Sequence, residues 1–246
     1  MILRRLADAI REQNWFTVGI EFLIVVSGIF VGLQVDDWNE ARQKAAREQE
    51  TISRMHAEAV NVVDYFNGRV DNQLTGLAAS DAFVRALSGI ESDSLAEDAA
   101  SRGYFRLWIY PSIAPPRAAF DELSSSGLLN EISDSGIRTS IADYYRELDF
   151  IQGQLDRFRV SDGADPGVDG GVRHVYDPES PTRRRYEIDF ERLAANPSFI
   201  SGSVQGLRNQ IRFTQYYLRV LRKAGAMCLA LAEGDTAACP DGCVGG

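Results

Sequence analysis

The chain has 246 residues, 45% of them hydrophobic and 25% charged, with a net charge of −9. That length supports a core without help from a metal, and the acidity argues against nonspecific nucleic-acid binding or peripheral attachment to anionic lipid. Through Val35, Arg4, Arg5 and Arg11 balance Asp8, Glu12 and Glu21, so the rest of the chain carries the whole negative excess.

The first predicted element is the apolar stretch Trp15 to Val35, WFTVGIEFLIVVSGIFVGLQV. As a helix it reaches about 30 Å, the thickness of a bilayer's hydrocarbon core. A secretory signal would have a shorter apolar core followed by a small-residue cleavage site. Here the stretch runs directly into Gln34, Asp36, Asp37, Trp38, Asn39 and Glu40. The reading is therefore a retained transmembrane helix at 15–35, preceded by a short cytoplasmic N-terminus at 1–14. Trp15 and Trp38 bracket the helix as interface anchors, the usual place for indole rings. Basic residues lie on both sides, with Arg42, Lys44 and Arg47 after the stretch, so the charge argument for a cytoplasmic N-terminus is modest.

Glu21, Val25, Gly28 and Gly32 share one face of that helix by their spacing of four, three and four. Gly28 and Gly32 form a small-xxx-small pair that lets two helices approach closely. A carboxyl group facing lipid is expensive, so Glu21 is expected to meet a partner helix, stay protonated or bend toward the headgroups. This face predicts a homo-oligomer or other membrane protein subunits as partners, alongside the lipid bilayer itself.

From Asn39 to about Leu77 a long helix is expected, with Ile52, Met55, Ala59, Val62, Phe66, Val70, Leu74 and Leu77 as its buried stripe. A second helix should cover roughly Ser94 to Trp108 and end before Tyr110-Pro111; the consecutive prolines of PSIAPPR exclude a helix interior. Ala118 to Ser125 is a short helix stopped by Gly127. The next runs from Gly136 to about Phe158, capped by Ser133 or Asp134, with Ile137, Ile141, Tyr144, Tyr145, Leu148, Ile151 and Leu155 inward. The Gly- and Asp-rich stretch at 161–171 reads as a loop, and its aspartates miss the spacing of a calcium site. A short segment around Asp189 to Ala195 precedes a final helix, about Ser203 to Leu231, with Val204, Leu207, Ile211, Leu218, Leu221 and Cys228 as its apolar face. These pieces define an all-α protein: one N-terminal transmembrane helix continuing into a soluble helical bundle over 36–235, then a cysteine-containing tail at 236–246. The long first and last helices are expected to pack antiparallel.

Chemistry-bearing residues are sparse. The two histidines, His56 and His174, read as isolated surface residues. There is no phosphate-binding glycine motif and no nucleophile–base–orienter set, so neither catalytic residues nor a cofactor or metal is expected. Cys239 and Cys243 can close a small loop, or either can reach back to Cys228; three reduced thiols are the other reading. Disulfides would suit the periplasm.

The segment RRLADAIREQNWFTVGIEFLIVVSGIFVGLQVDDWNEAR resembles the DUF6090-type proteins, a bacterial family of single-pass membrane proteins with a domain of unknown function. A weaker likeness continues through AAFDELSSSGLLNEISDSGIRTSIADYY, and together the two blocks cover about 70 residues. The resemblance implies a membrane pass followed by a helical domain and transfers no catalytic residues. The expected function is a non-enzymatic interaction protein of the bacterial inner membrane, an accessory subunit of a larger complex, with its C-terminal domain periplasmic. The alternative is a periplasmic sensory or ligand-binding module, with Tyr104, Trp108, Tyr110, Tyr144 and Tyr145 lining a pocket between helices.

Overall fold

The computed structural model describes residues 15–90, 97–161, 171–179 and 183–241. The protein is all-α, with one long apolar helix at its N-terminal end. Helix α1 spans Trp15–Leu87, α2 Glu97–Trp108, α3 Ala118–Ser125 and α4 Ser135–Ser161. The short α5, Phe190–Ala194, precedes α6, Pro197–Leu231. A two-stranded antiparallel sheet, absent from the sequence reading, pairs β1 (Val172–Tyr176) with β2 (Arg184–Ile188), Val172 opposite Ile188.

The chain divides into two compact units, Met1–Glu50 and Thr51–Gly246. In the first, the described residues form the opening part of α1, and its large apolar side chains are exposed, Phe22 at 70% and Phe30 at 65%. This helix is long and apolar enough to cross a membrane.

The second unit is a bundle around two apolar clusters. The larger joins Met55, Ala59, Val62 and Phe66 of α1 to Ile141, Tyr144, Leu148 and Ile151 of α4 and to Phe213, Tyr217, Val220 and Met227 of α6. Helix α6 runs antiparallel to α1, with the Phe66 and Tyr217 rings 5.1 Å apart and Gln73 donating to Thr214 at 2.9 Å. It also runs antiparallel to α4, where Lys223 pairs with Asp143 at 3.0 Å and Arg219 with Glu147. The smaller cluster gathers Phe83, Val84 and Leu87 with Ala100, Tyr104 and Leu107 of α2, Leu193 of α5 and Phe199 of α6.

The starts of α4 and α6 have local causes. Asp134, one of the two expected caps, accepts from Gly136 N and Ile137 N at the head of α4. Asn196 caps α6 through Ser198 N and Phe199 N, with Pro197 in the first turn. That helix therefore begins six residues before the expected Ser203, and Phe199 reaches the core. Gly127 ends the turn after α3 at φ 80°, the left-handed conformation that suits glycine.

Two expected stripes need correction. On α1 the buried face leaves Leu74 exposed and continues through Gln73, Ser80 and Phe83. The cause is close packing on α2: a Cβ on Gly103 would lie 2.5 Å from the Ala79 carbonyl oxygen and 2.6 Å from Phe83 Cβ. On α6 Val204 and Ile211 are exposed, while Ser203, Asn209, Gln210 and Thr214 are buried. Gln210 donates to Ile109 O at 3.1 Å and Thr214 donates to Gln210 O at 2.9 Å, so these two enter the core with partners.

Candidate functional site

Three places carry residues that the sequence marks or that the fold makes unusual. The first is the apolar part of α1. Glu21, Val25, Gly28 and Gly32 lie on its exposed surface, and a Cβ added at either glycine would meet nothing within 4 Å. Ser27 returns its hydroxyl to Ile24 O at 2.9 Å, so a polar side chain within the segment is satisfied by its own helix. Trp15 is the first residue of α1. Trp38 is exposed, with the Arg42 guanidinium 5.8 Å from its ring centre.

The second place centres on Glu58, a carboxylate buried in the α1 face toward α3 and α4. Helix α3 follows Arg117, which makes no side-chain cap. Glu58 supplies the missing cap from far along the chain, accepting from Ala119 N at 2.6 Å and Phe120 N at 3.1 Å. The Tyr145 hydroxyl donates to the same carboxylate. Burial, then the Glu58 hydrogen bond and charge, push the Tyr145 hydroxyl well above the ordinary tyrosine value. Burial with the nearby Glu58 charge does the same to Tyr144, whose buried oxygen has no hydrogen-bond partner among the described residues. With three donors on one carboxylate, Glu58 is a fixed acceptor that joins three helices, and its geometry is that of a structural post.

Beside this post lies a cleft of about 570 Å³. Phe120, Leu129, Ile141 and Tyr145 give it an apolar floor, and Arg138 and Arg146 stand at its wall. The Phe120 and Tyr145 rings stack with centres 3.5 Å apart. Arg138 is held by the Ile132 and Ser133 carbonyls, and Arg146 pairs with Asp143.

Of the five aromatics expected around a pocket, Tyr145 alone is on this cleft's lining. Tyr104 packs in the smaller cluster, with Trp108 partly buried against it, while Tyr110 and Tyr144 are in the larger. The structure therefore does not bring the five together: Tyr104 and Trp108 of α2 serve the smaller cluster, and Tyr110, two residues beyond the helix, serves the larger.

The third place is the end of α6. Cys228 is bonded to Cys239, one of the pairings left open by the sequence; Cys243 lies outside the described residues. His56 is not an isolated surface residue: it is half-buried on α1, with Nε2 4.0 Å from Cys239 Sγ. The donor atoms of His56, Cys228 and Cys239 all lie within 4.8 Å of one another. Sequence separation hides this convergence, although His56 stands next to Met55 of the expected stripe. His174 is exposed on β1, its ring 4.8 Å from that of Tyr186. The aspartates of the 161–171 loop lie outside the described residues.

No family model matches the chain, and no curated protein or solved structure shows a significant likeness to it.

Proposed function

We propose that this chain is a non-enzymatic interaction protein of the bacterial inner membrane, related to the DUF6090-type proteins that its N-terminal segment resembles. The 15–35 part of α1 crosses the bilayer, with the N-terminus cytoplasmic and the helical domain periplasmic. The observation that carries this reading is a helix whose described apolar side chains are exposed from Phe16 to Val35, with no protein cover. A contiguous apolar surface of that extent is not sustained in water and is covered by lipid or by another helix. The Cys228–Cys239 disulfide supports an oxidising compartment for the bundle.

Within the membrane, the Glu21, Val25, Gly28 and Gly32 face receives a second helix, from another copy or from a different membrane subunit. Open space at both glycines supports close approach, and burial between helices removes Glu21 from lipid. Extraction in a mild detergent, followed by mass measurement and identification of bound proteins, tests this role. A defined complex that is lost with Gly28→Leu and Gly32→Leu is expected. A monomer, or a complex indifferent to both substitutions, contradicts it.

The cleft beside Glu58 favours a second reading, a periplasmic ligand-binding module. Its volume falls in the range of small-molecule sites, and its lining sets an apolar floor beside the charged Arg138, Arg146 and Asp149. Ligand-dependent thermal stabilisation that Arg138→Ala abolishes would support this role.

A further inference from the structure

We propose that His56, Cys228 and Cys239 form a zinc site that the disulfide closes and reduction opens. The chain contains two histidines and three cysteines, and three of these five residues meet at one point in the bundle. Thiolate and imidazole are the ligands that zinc takes in tetrahedral sites. Such a site requires its donor atoms to stand roughly 3.5–3.8 Å apart around the ion. The present separation of His56 Nε2 from Cys239 Sγ is 4.0 Å, so a shift of about half an ångström closes the site on that side. Once the disulfide opens, the two sulfurs are free to separate to the same spacing.

The surrounding elements hold the ligands in place without the disulfide. Cys228 is fully buried in the last turns of α6, fixed by its neighbours Ala224, Met227 and Leu231 in the core. After α6, Glu233 at φ 53° and Gly234 at φ 85° reverse the chain. Asp235 then caps the 3-10 turn Thr236–Ala238 by accepting from Ala237 N, which presents Cys239 toward α1. Asn67 of α1 donates to Asp241 O at 2.6 Å and ties the returning tail to the helix that carries His56. The donors thus come from three independently anchored segments.

The reaction balances with a dithiol as reductant. A reductant thiolate attacks Cys239 Sγ, the more exposed sulfur, and Cys228 leaves as a thiolate. The reductant's second thiol displaces Cys239, so the reductant becomes a disulfide and two electrons and two protons pass to the cysteine pair. Zinc then takes the two sulfurs as thiolates, releasing those two protons, together with the neutral imidazole of His56. Three protein ligands leave a fourth position for water, the arrangement of an open zinc site. The proposal is independent of membrane topology, because it concerns the bundle alone.

The test uses the full-length chain in detergent with Cys243→Ser, so that the third thiol contributes nothing. Reduced and oxidised samples are titrated with cobalt(II), whose tetrahedral thiolate complexes absorb in the near ultraviolet and visible, and zinc is then added to displace it. The reduced protein is expected to bind one cobalt per chain with the thiolate band, keep its helical circular dichroism and yield the metal to zinc. The oxidised protein is expected to show no band. His56→Ala leaves both cysteines intact and is expected to weaken binding by about tenfold or more. Absence of the band in the reduced protein, loss of helicity on reduction, or equal affinity in His56→Ala overturns the proposal.

Discussion

The stretch of α1 from Phe16 to Val35 and the stretch from Thr51 to Leu87 belong to one helix and differ in what their own chain covers. In the first, apolar side chains occur on nearly every side and all those described are exposed. In the second, Met55, Ala59, Val62 and Phe66 form one buried stripe, with polar residues on the other side. Helix formation by itself discriminates nothing here. What differs is the angular spread of the apolar residues: a full circle calls for an apolar solvent, a stripe calls for a protein core.

The largest effect should come from placing charge in the first stretch. Val26→Arg with Ile29→Arg is expected to cost about 2.5–3.5 kcal/mol per arginine in membrane insertion. Alkaline washing of the membranes should then release the variant while retaining the natural protein. Retention of the double variant would end the comparison as drawn.

Next in size is a matched pair of truncations. Phe66→Ala removes a fully buried ring and should destabilise the bundle by about 3–5 kcal/mol. Phe22→Ala removes a ring that touches no core, and should leave urea unfolding of the bundle unchanged. Equal effects at both positions would erase the distinction between the two stretches.

Glu58→Ala is expected to cost about 3 kcal/mol, because two backbone N–H groups and the Tyr145 hydroxyl lose their acceptor in a buried place. Gly103→Ala, a change that normally favours a helix, should instead destabilise by about 1–3 kcal/mol through the Ala79 carbonyl and Phe83. Both follow from urea denaturation read by circular dichroism.

The smallest effect is a pH dependence confined to the bundle. Burial raises the folded hydroxyl values of Tyr144, Tyr145 and Tyr217 above the ordinary 10.0. The stability tied to keeping them neutral is complete below that value and is lost as pH rises toward the raised ones. Ultraviolet titration should show these tyrosines ionising together with alkaline unfolding. Ionisation near pH 10 with the helices intact would show that they are open to water.

Local signals made much of the fold legible. Gly127 and Asp134 mark helix ends through their own backbone and side-chain chemistry, and the inward face of α4 is regular enough to read by period; Asn196-Pro197 caps α6 in the same way, although the sequence reading began that helix at Ser203. The errors arise where packing is made by small or polar residues. Gln73 and Ser80 on α1 and Gln210 and Thr214 on α6 enter the core through hydrogen bonds, which an apolar period does not register. The β1–β2 pair begins at Val172, and its strands carry Arg173, His174, Arg184 and Arg185 with little alternation to announce them.

The candidate sites divide the same way. Glu21, Val25, Gly28 and Gly32 lie within about three turns of one helix, so that they share a face follows from spacing alone. The Glu58 cap on α3 and the meeting of His56 with Cys228 and Cys239 depend on partners more than fifty residues away, and no local pattern encodes them. The five aromatics stay apart for a related reason: Trp108 at the end of α2 and Tyr110 just beyond it serve different clusters.

The most direct measurement is a nitroxide scan from Val18 to Val35, one cysteine at a time, in the Cys243→Ser protein in lipid nanodiscs. Collisions with oxygen, which concentrates in hydrocarbon, are compared with those of a water-soluble nickel complex. The account predicts oxygen access rising toward the middle of the segment at Leu23, Val26 and Phe30, nickel access low throughout, and both low at Val25 and Gly28. Nickel access as high at Val26 as at Asp37 would place this helix in water and contradict the account.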